Sequence, residues 1–228
     1  MSVHLINTDG VKYMRPIHNR EDYLALRNGG EQKQTLKAVR SGEESRKSQL
    51  VQMNYSCLPN EDGTLKGSKR MSTTVGMDID HIAPEDMPKV KERILQKKTE
   101  LGLLMMEESA RGGGYHLVFR RRPELDQGDN LKWASELLEV AYDAQAKDIT
   151  RVFFTTTENE LVYLDDEIFE IKETVAALQC CSSSGDTQGS GTPVTSQATS
   201  QKCQTPCVTY DPEARYNGVL IKDIIAKY

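Results

Sequence analysis

No apolar run in this chain approaches the roughly 18–20 residues that a membrane-spanning helix needs. The densest stretch, Leu101 to Met106, is far too short. The N-terminal residues have neither the basic head nor the apolar stretch of a secretory signal. A disulfide framework is missing as well. Of the five cysteines, Cys57 stands alone, Cys180 and Cys181 are adjacent, and Cys203 and Cys207 are four apart. The last four flank a Ser/Thr/Gln/Gly-rich stretch rather than the ordered turns of a structural zinc site, so they read as linker thiols. There is no Walker-type phosphate loop (GxxxxGK followed by Ser or Thr) and no internal repeat. No HxH pair exists among the four histidines, which argues against rolling-circle relaxase chemistry. Finally, positive charge is not in excess: 29 Lys and Arg face 34 Asp and Glu, for a net −5. That balance argues against a surface that grips nucleic acid everywhere. It leaves room for a local basic groove, because charges act over a Debye length of about 8–10 Å. These absences describe a soluble, cytoplasmic protein with no membrane partner.

What is present, 228 residues with 37% hydrophobic and 28% charged, suits one sizeable domain plus an appendage. The boundary falls in residues 179–209, where large apolar groups are almost absent. Such a segment cannot bury enough surface to offset its ordering entropy, so a disordered linker is expected. Residues 1–178 then form the main domain. Residues 210–228 carry Val219, Leu220, Ile224 and Ile225 at the spacing of a short amphipathic helix, the opening of a further domain.

Within the main domain the hydrophobic period switches repeatedly between 3.6 and two. Helices are expected near Glu21–Arg27 and Gln32–Val39, from Pro84 to Gly102, over Asn130–Val140, and from Asp166 to Leu178. Strands are expected over residues 49–56, 75–80, 103–109 and 114–121, with short β-rich runs at 150–157 and 161–164. The order is mixed rather than a regular βαβ succession. It predicts an α+β fold with a mainly antiparallel sheet and flanking helices.

Three places carry chemistry. From Val75 to Asp80 the alternation is strict, with Val75, Met77 and Ile79 on one face and Gly76, Asp78 and Asp80 on the other. Two carboxylates at i and i+2 project to one side of a strand, about 6.6 Å apart along it, where a divalent cation would reverse their repulsion. A solvated strand end is the plain alternative. The second place is Ser109-Ala110-Arg111-Gly112-Gly113-Gly114-Tyr115-His116. Consecutive glycines let backbone N–H groups approach an anion, Ser109 offers a hydroxyl and Arg111 a forked cation. Alternation sets His116 opposite Tyr115, Leu117 and Phe119, outside the main core. A hairpin turn with a surface histidine is the alternative. The third place is the segment Tyr142 to Phe154, where Asp143 or Asp148 could supply a third carboxylate or end a helix, and Arg151 alternates with Val152. Basic residues cluster at Lys66, Lys69 and Arg70, at Arg120, Arg121 and Arg122, and more loosely at Arg40, Arg46 and Lys47. Such clusters suit nucleic-acid phosphates or simply solvated loops.

In this order, VGMDIDHI, SARGGGYHLVFRR and KDITRVFFTTT resemble the catalytic domain of archaeo-eukaryotic primases, over roughly Gln32 to Leu178. The likeness is to the primase-polymerase branch of Bacteroidetes mobile elements labelled virulence-associated E protein (VirE) N-terminal domain. The resemblance implies template-directed nucleotidyl transfer on a single-stranded DNA template, with nucleoside triphosphates as substrates and two Mg2+ or Mn2+ ions as cofactors. It implies metal ligation by Asp78, Asp80 and either Asp143 or Asp148, with His116 on the triphosphate. Ser109, Arg111, Gly113, Gly114 and Arg151 complete the implied nucleotide site. In such families a primase C-terminal segment and a helicase commonly follow; here the helicase would be a separate partner, and residues 210–228 look like the severed start of that segment. A non-catalytic nucleic-acid or nucleotide-binding remnant is the alternative. A metal-dependent nuclease is a third reading, in which the histidine after the glycines is less expected.

Overall fold

The computed structural model describes residues 3–7 and 10–170, together with the backbone of residues 215–216 and 219–220. By their contacts the residues divide into two units, Met1–Ala176 and Ala177–Tyr228. The first unit is α+β, with two four-stranded sheets in which every strand pair is antiparallel.

One sheet has the order β2-β1-β3-β7, from β1 (Val3–Asn7), β2 (Tyr13–Ile17), β3 (Gln52–Asn54) and β7 (Phe153–Phe154). The other has the order β4-β6-β5-β8, from β4 (Thr74–Ile79), β5 (Leu103–Glu108), β6 (Tyr115–Arg120) and β8 (Leu161–Leu164). Helices α1 (Arg20–Asn28), α2 (Gly30–Arg40), α3 (Met87–Gln96), α4 (Lys98–Leu101) and α5 (Gln127–Leu138) complete the unit.

The two faces of the β4-β6-β5 strands serve two cores. Val75, Met77, Ile79, Leu103, Tyr115, Leu117 and Phe119 pack with Ile94 of α3 and Leu131, Ala134 and Leu138 of α5. On the reverse face, Leu104, Met105 and Val118 meet Val3 of β1, Met53 of β3, Phe153 of β7 and Tyr23 of α1. Strand β4 is therefore buried along its whole length, where alternation alone predicts a half-open strand. Its reverse face is closed by aromatic packing rather than left to water. Gly76 permits this: a Cβ there would lie 2.7 Å from the Phe153 ring.

Strand β5 departs from regular pleating. Leu103 faces the helix-covered core, but Leu104 and Met105 both face the second core, and Met106 returns to the first. The register with β6 slips between Leu103 and Met105. One extra residue in a strand in this way is a bulge. It turns Glu107 to the same side as Met105, opposite helices α3 and α5.

Side-chain caps set where α1 and α5 begin. The Asn19 side chain accepts from the Asp22 N–H at 2.8 Å to start α1. The Asp126 side chain accepts from the Asp129 N–H at 2.7 Å, so α5 opens three residues before the expected Asn130. The helix expected from Pro84 starts instead at Met87, after a turn closed by Asp86 N–H on Ala83 O at 2.9 Å. It breaks at Lys97 before α4, and Gly102 ends α4 with a left-handed φ of 69°. Of the helix expected over Asp166–Leu178, the described part is a single 3-10 turn, Asp166–Phe169. The remainder, like the linker expected at residues 179–209, lies outside the described residues. In the second unit, β9 (Arg215–Tyr216) pairs antiparallel with β10 (Val219–Leu220). Those four residues are extended where the apolar spacing predicts helix. The Asn217-Gly218 dipeptide between them in sequence is a strong hairpin signal, and it outweighs a 3.6-residue period carried by few residues.

Two glycines should be irreplaceable. Gly114 passes so close to β4 that a Cβ would lie 2.0 Å from the Ile79 carbonyl oxygen. Gly114→Ala and Gly76→Ala are each expected to destabilise the fold by at least about 1–3 kcal/mol, with Gly114 the worse because backbone cannot swing aside. Urea denaturation of the two variants checks this order.

Candidate metal centre

Strand register builds the site. Asp78 of β4 sits opposite His116 of β6, which sits opposite Glu107 of β5. Three ionisable side chains thus form one row across neighbouring strands about 4.8 Å apart, all on the face that the second core covers.

Asp78 heads the row. It is 7% exposed, and its Oδ1 is buried with no hydrogen-bond partner among the described residues. His116 Nε2 lies 3.6 Å from that oxygen, and an Arg151 nitrogen lies 3.9 Å from Oδ2. Burial pushes the Asp78 carboxyl above its ordinary range, and His116 partly opposes this. Asp80, just beyond the end of β4, is exposed. Asp143 is brought in by its backbone: its N–H donates to the Asp78 carbonyl at 2.8 Å. One carboxylate oxygen from each of Asp78, Asp80 and Asp143 can be chosen so that all three lie within 4.8 Å of one another. Unit charges 4.8 Å apart repel by about 3.5 kcal/mol at an effective dielectric near 20, less where Asp80 faces water. Arg151 offsets part of this, donating to Asp143 Oδ2 at 3.1 Å.

Of the two candidates for the third carboxylate, the cluster contains Asp143. Asp148 is turned to its own loop, where Oδ1 accepts from both the N–H and the hydroxyl of Thr150 at 2.8 Å. Arg151 is on the acidic cluster itself, with its other nitrogen donating to Gln145.

Beneath the cluster, His116 is buried and outside the first core, packed edge-on against Phe153 with ring centroids 5.3 Å apart. Its Nδ1 is 3.1 Å from Glu107 Oε1. Glu107 is wholly enclosed, and its Oε2 accepts from Arg27 at 2.7 Å and from the Thr156 N–H and hydroxyl at 3.0 and 2.7 Å. Burial alone would raise the Glu107 carboxyl. Arg27, His116 and Thr156 outweigh burial and hold it well below the usual range. For His116 burial favours the neutral ring, but Glu107 and Asp78 prevail and raise it. Arg27 is fully buried as well, donating to the Tyr23 hydroxyl and to the Thr156 carbonyl, with its guanidinium 4.4 Å from the Tyr23 ring centroid.

The glycine loop is a tight turn between β5 and β6. Ser109 N–H donates to Gly114 O and Gly112 N–H to Ser109 O, each at 2.9 Å. Gly113 O accepts from Ile82 N–H at 3.0 Å, and Gly112 adopts a φ of 78°. Ser109 is buried, and Arg111 reaches away to Glu44 at 2.8 Å. The loop's evident work is to clasp the end of β4 where Asp80 emerges.

The expected basic residues divide. Lys66, Lys69 and Arg70 are exposed, with Arg70 donating to the Pro59 carbonyl at 2.9 Å. The second group is not a free patch. Arg120 pairs with Glu167, and Arg122 stacks on Trp133 at 3.7 Å. Arg121 is a structural anchor, donating to Ser72 O, Ser56 O, Thr74 O and Gln127 Oε1 at 2.7–3.2 Å. Burial lowers its guanidinium to about 10.

Sequence reasoning missed Glu107, Arg27 and Thr156. A glutamate ending the apolar run LLMM was the available signal for the first; an arginine in the last turn of an amphipathic helix gives none.

Compared with protein-family models, curated proteins and solved structures, the chain has no match.

Replacing Glu107 by Gln leaves Arg27 as a buried cation without its counter-charge, which should cost about 3–5 kcal/mol in urea denaturation. The folded Glu107 carboxyl titrates below its unfolded value, so its stabilisation is complete above the normal carboxylate range and is lost as acid protonates it. The gap between wild type and Glu107→Gln should therefore narrow from about pH 6 to about pH 3.

Proposed function

We propose that this chain is a metal-dependent nucleotidyltransferase of the archaeo-eukaryotic primase type, adding nucleotides to a strand along a single-stranded DNA template. One observation carries the reading: three carboxylates converge beside a buried histidine, and the innermost one keeps an oxygen without a hydrogen-bond donor. A buried acceptor left in that state is costly unless a cation completes it.

Asp78, Asp80 and Asp143 offer hard oxygen ligands, which suit Mg2+ or Mn2+ better than softer metals. A bound divalent ion supplies charge neutralisation of the triphosphate and of the leaving pyrophosphate, and a lowered pKa for the attacking 3′-hydroxyl. The chain's own groups position the substrate. Glu107 accepts the Nδ1 proton of His116 and so fixes the ring with Nε2 toward Asp78, where Nε2–H can donate to a phosphate oxygen. Arg151 holds Asp143 and adds positive charge next to the three acids. The double burial of β4 keeps Asp78 from rotating away, and preorganisation of this kind supplies much of the catalysis in phosphoryl-type transfer.

The reading predicts that Asp78→Asn folds, loses calorimetric Mn2+ binding, and shows no incorporation of labelled nucleotide on a primed single-stranded template. Undiminished incorporation by that variant sinks the assignment. Calorimetry in which the wild-type chain binds DNA but no nucleoside triphosphate favours the non-catalytic binding module.

A further inference from the structure

The strand β2 was not anticipated from the sequence, and its outer surface gathers exposed cations and exposed apolar groups. Met14 and Ile17 are buried in different cores, and Tyr13, Arg15 and Pro16 are exposed. It is the edge strand of its sheet, and part of the segment 58–72 closes on it. Met14 N–H donates to Gly63 O and Leu65 N–H to Lys12 O, each at 2.9 Å, and Tyr13 bridges Thr64. These bonds bring Lys12 and Arg15 into one region with Lys66, Lys69 and Arg70, all five exposed. None of the five has a carboxylate within 4 Å among the described residues, whereas Arg20, Arg40, Arg93, Arg111 and Arg120 are all tied to acids. Only Glu61 and Asp62 are acidic within residues 10–17 and 58–72, and Asp62 already accepts from Thr64.

Apolar exposure falls in the same place. Among the described residues, the large hydrophobic ones most open to water are Val11 at 45%, Tyr13 at 44% and Met71 at 39%. A planar ring among unpaired cations, on a chain whose total charge is −5, points to one kind of occupant. A polyanion with exposed flat faces matches both features, since bases stack on aromatic side chains while the backbone follows the cations. A duplex hides its base faces. An anionic bilayer matches the charge but gives Tyr13 no planar partner.

We propose that the outer surface of β2 and the 58–72 segment is a binding track for a single strand of nucleic acid. The track shares an apolar cluster with the segment that carries Arg151. Met14 and Leu65 beneath it join Ile149 and Val152, which flank Arg151. The inference rests on the proposed polymerising function for its purpose, since it gives the template a place, but binding itself needs neither metal nor nucleotide.

The test is fluorescence anisotropy of a labelled oligo(dT) with the full chain, in EDTA, across a salt series. The wild type should bind, with competition by unlabelled single strands exceeding that by duplex. Lys12→Ala with Arg15→Ala should lower the slope of log K against log salt by about 1.4, at about 0.7 per contact on single strands. Tyr13→Ala should weaken binding roughly tenfold with the slope unchanged, as loss of a stacking contact requires. Lys33→Glu with Lys37→Glu on α2 is the charge control and should change binding less than the β2 variants do. Circular dichroism confirms that each surface variant is folded. Asp78→Asn should bind as well as the wild type, so loss of catalysis and loss of the track are separable. Absence of oligonucleotide binding by the wild type overturns the proposal. So do equal effects of the α2 and β2 variants, or a preference for duplex or for vesicles of anionic phospholipid over the single strand.

Discussion

Glu107 is a carboxylate without contact with water, and its four hydrogen bonds reach helix α1, the central strand of its own sheet and the segment that follows the other sheet's β7. Arg27 ties it to α1, Thr156 to the segment after β7, and His116 to the central strand of its own sheet. A lone buried carboxylate would be neutralised or expelled. Here a wholly buried guanidinium keeps it charged, and the pair makes mutual placement of these elements a condition of folding. Such pairs add little net stability compared with a well-packed apolar core, and their effect is to select one arrangement among many.

That selection matters because the row continues to Asp78. A negative group on one side of His116 and another beyond it leave the ring caught between two acids, with Arg151 as the nearest cation on the far side. The site is thus a line of ionisable groups, Arg27, Glu107, His116, Asp78 and Arg151, running from a dry interior to the surface. Each member limits the rotamers of the next. The outermost acids, Asp80 and Asp143, are held by backbone instead: Asp80 by the end of β4 and Asp143 by its N–H on the Asp78 carbonyl.

The part of this that could be read in the sequence was the part obeying a simple period. Alternation in β4 and β6 placed Asp78 and His116, and helical spacing placed α1 and α2. Local chemistry overrode the period elsewhere. Asp126 capped α5 early, and Asn217-Gly218 spoke for a hairpin where apolar spacing suggested helix. Three adjacent arginines looked like a basic patch, yet Arg121 binds backbone carbonyls and Arg122 covers Trp133, contacts that depend on residues far away in the chain. β1 and β2 were not recognised because β2 is short, half exposed and interrupted by Pro16, and its edge partner is an irregular segment some 50 residues later. The choice between Asp143 and Asp148 needed the fold, since both lie in turns and it is the backbone bond of Asp143 to β4 and the bonds of Thr150 to Asp148 that separate them.

The bulge in β5 has a consequence for how such a chain can vary. Side chains along a strand change sides with every residue, so the bulge fixes the parity of the sequence between Leu103 and the glycine turn. Deleting either Leu104 or Met105 would restore even pleating. It would also keep Leu103 and Glu107 on opposite faces, since they would then stand three positions apart; it is even pleating at the present spacing of four that would drive the carboxylate into the helix-covered core. Substitution at those positions asks only for an apolar group of similar size, whereas a change of one residue in length keeps the inside and outside of the site only if the bulge is lost with it. In this stretch of the molecule, counting is more strictly conserved by physics than identity.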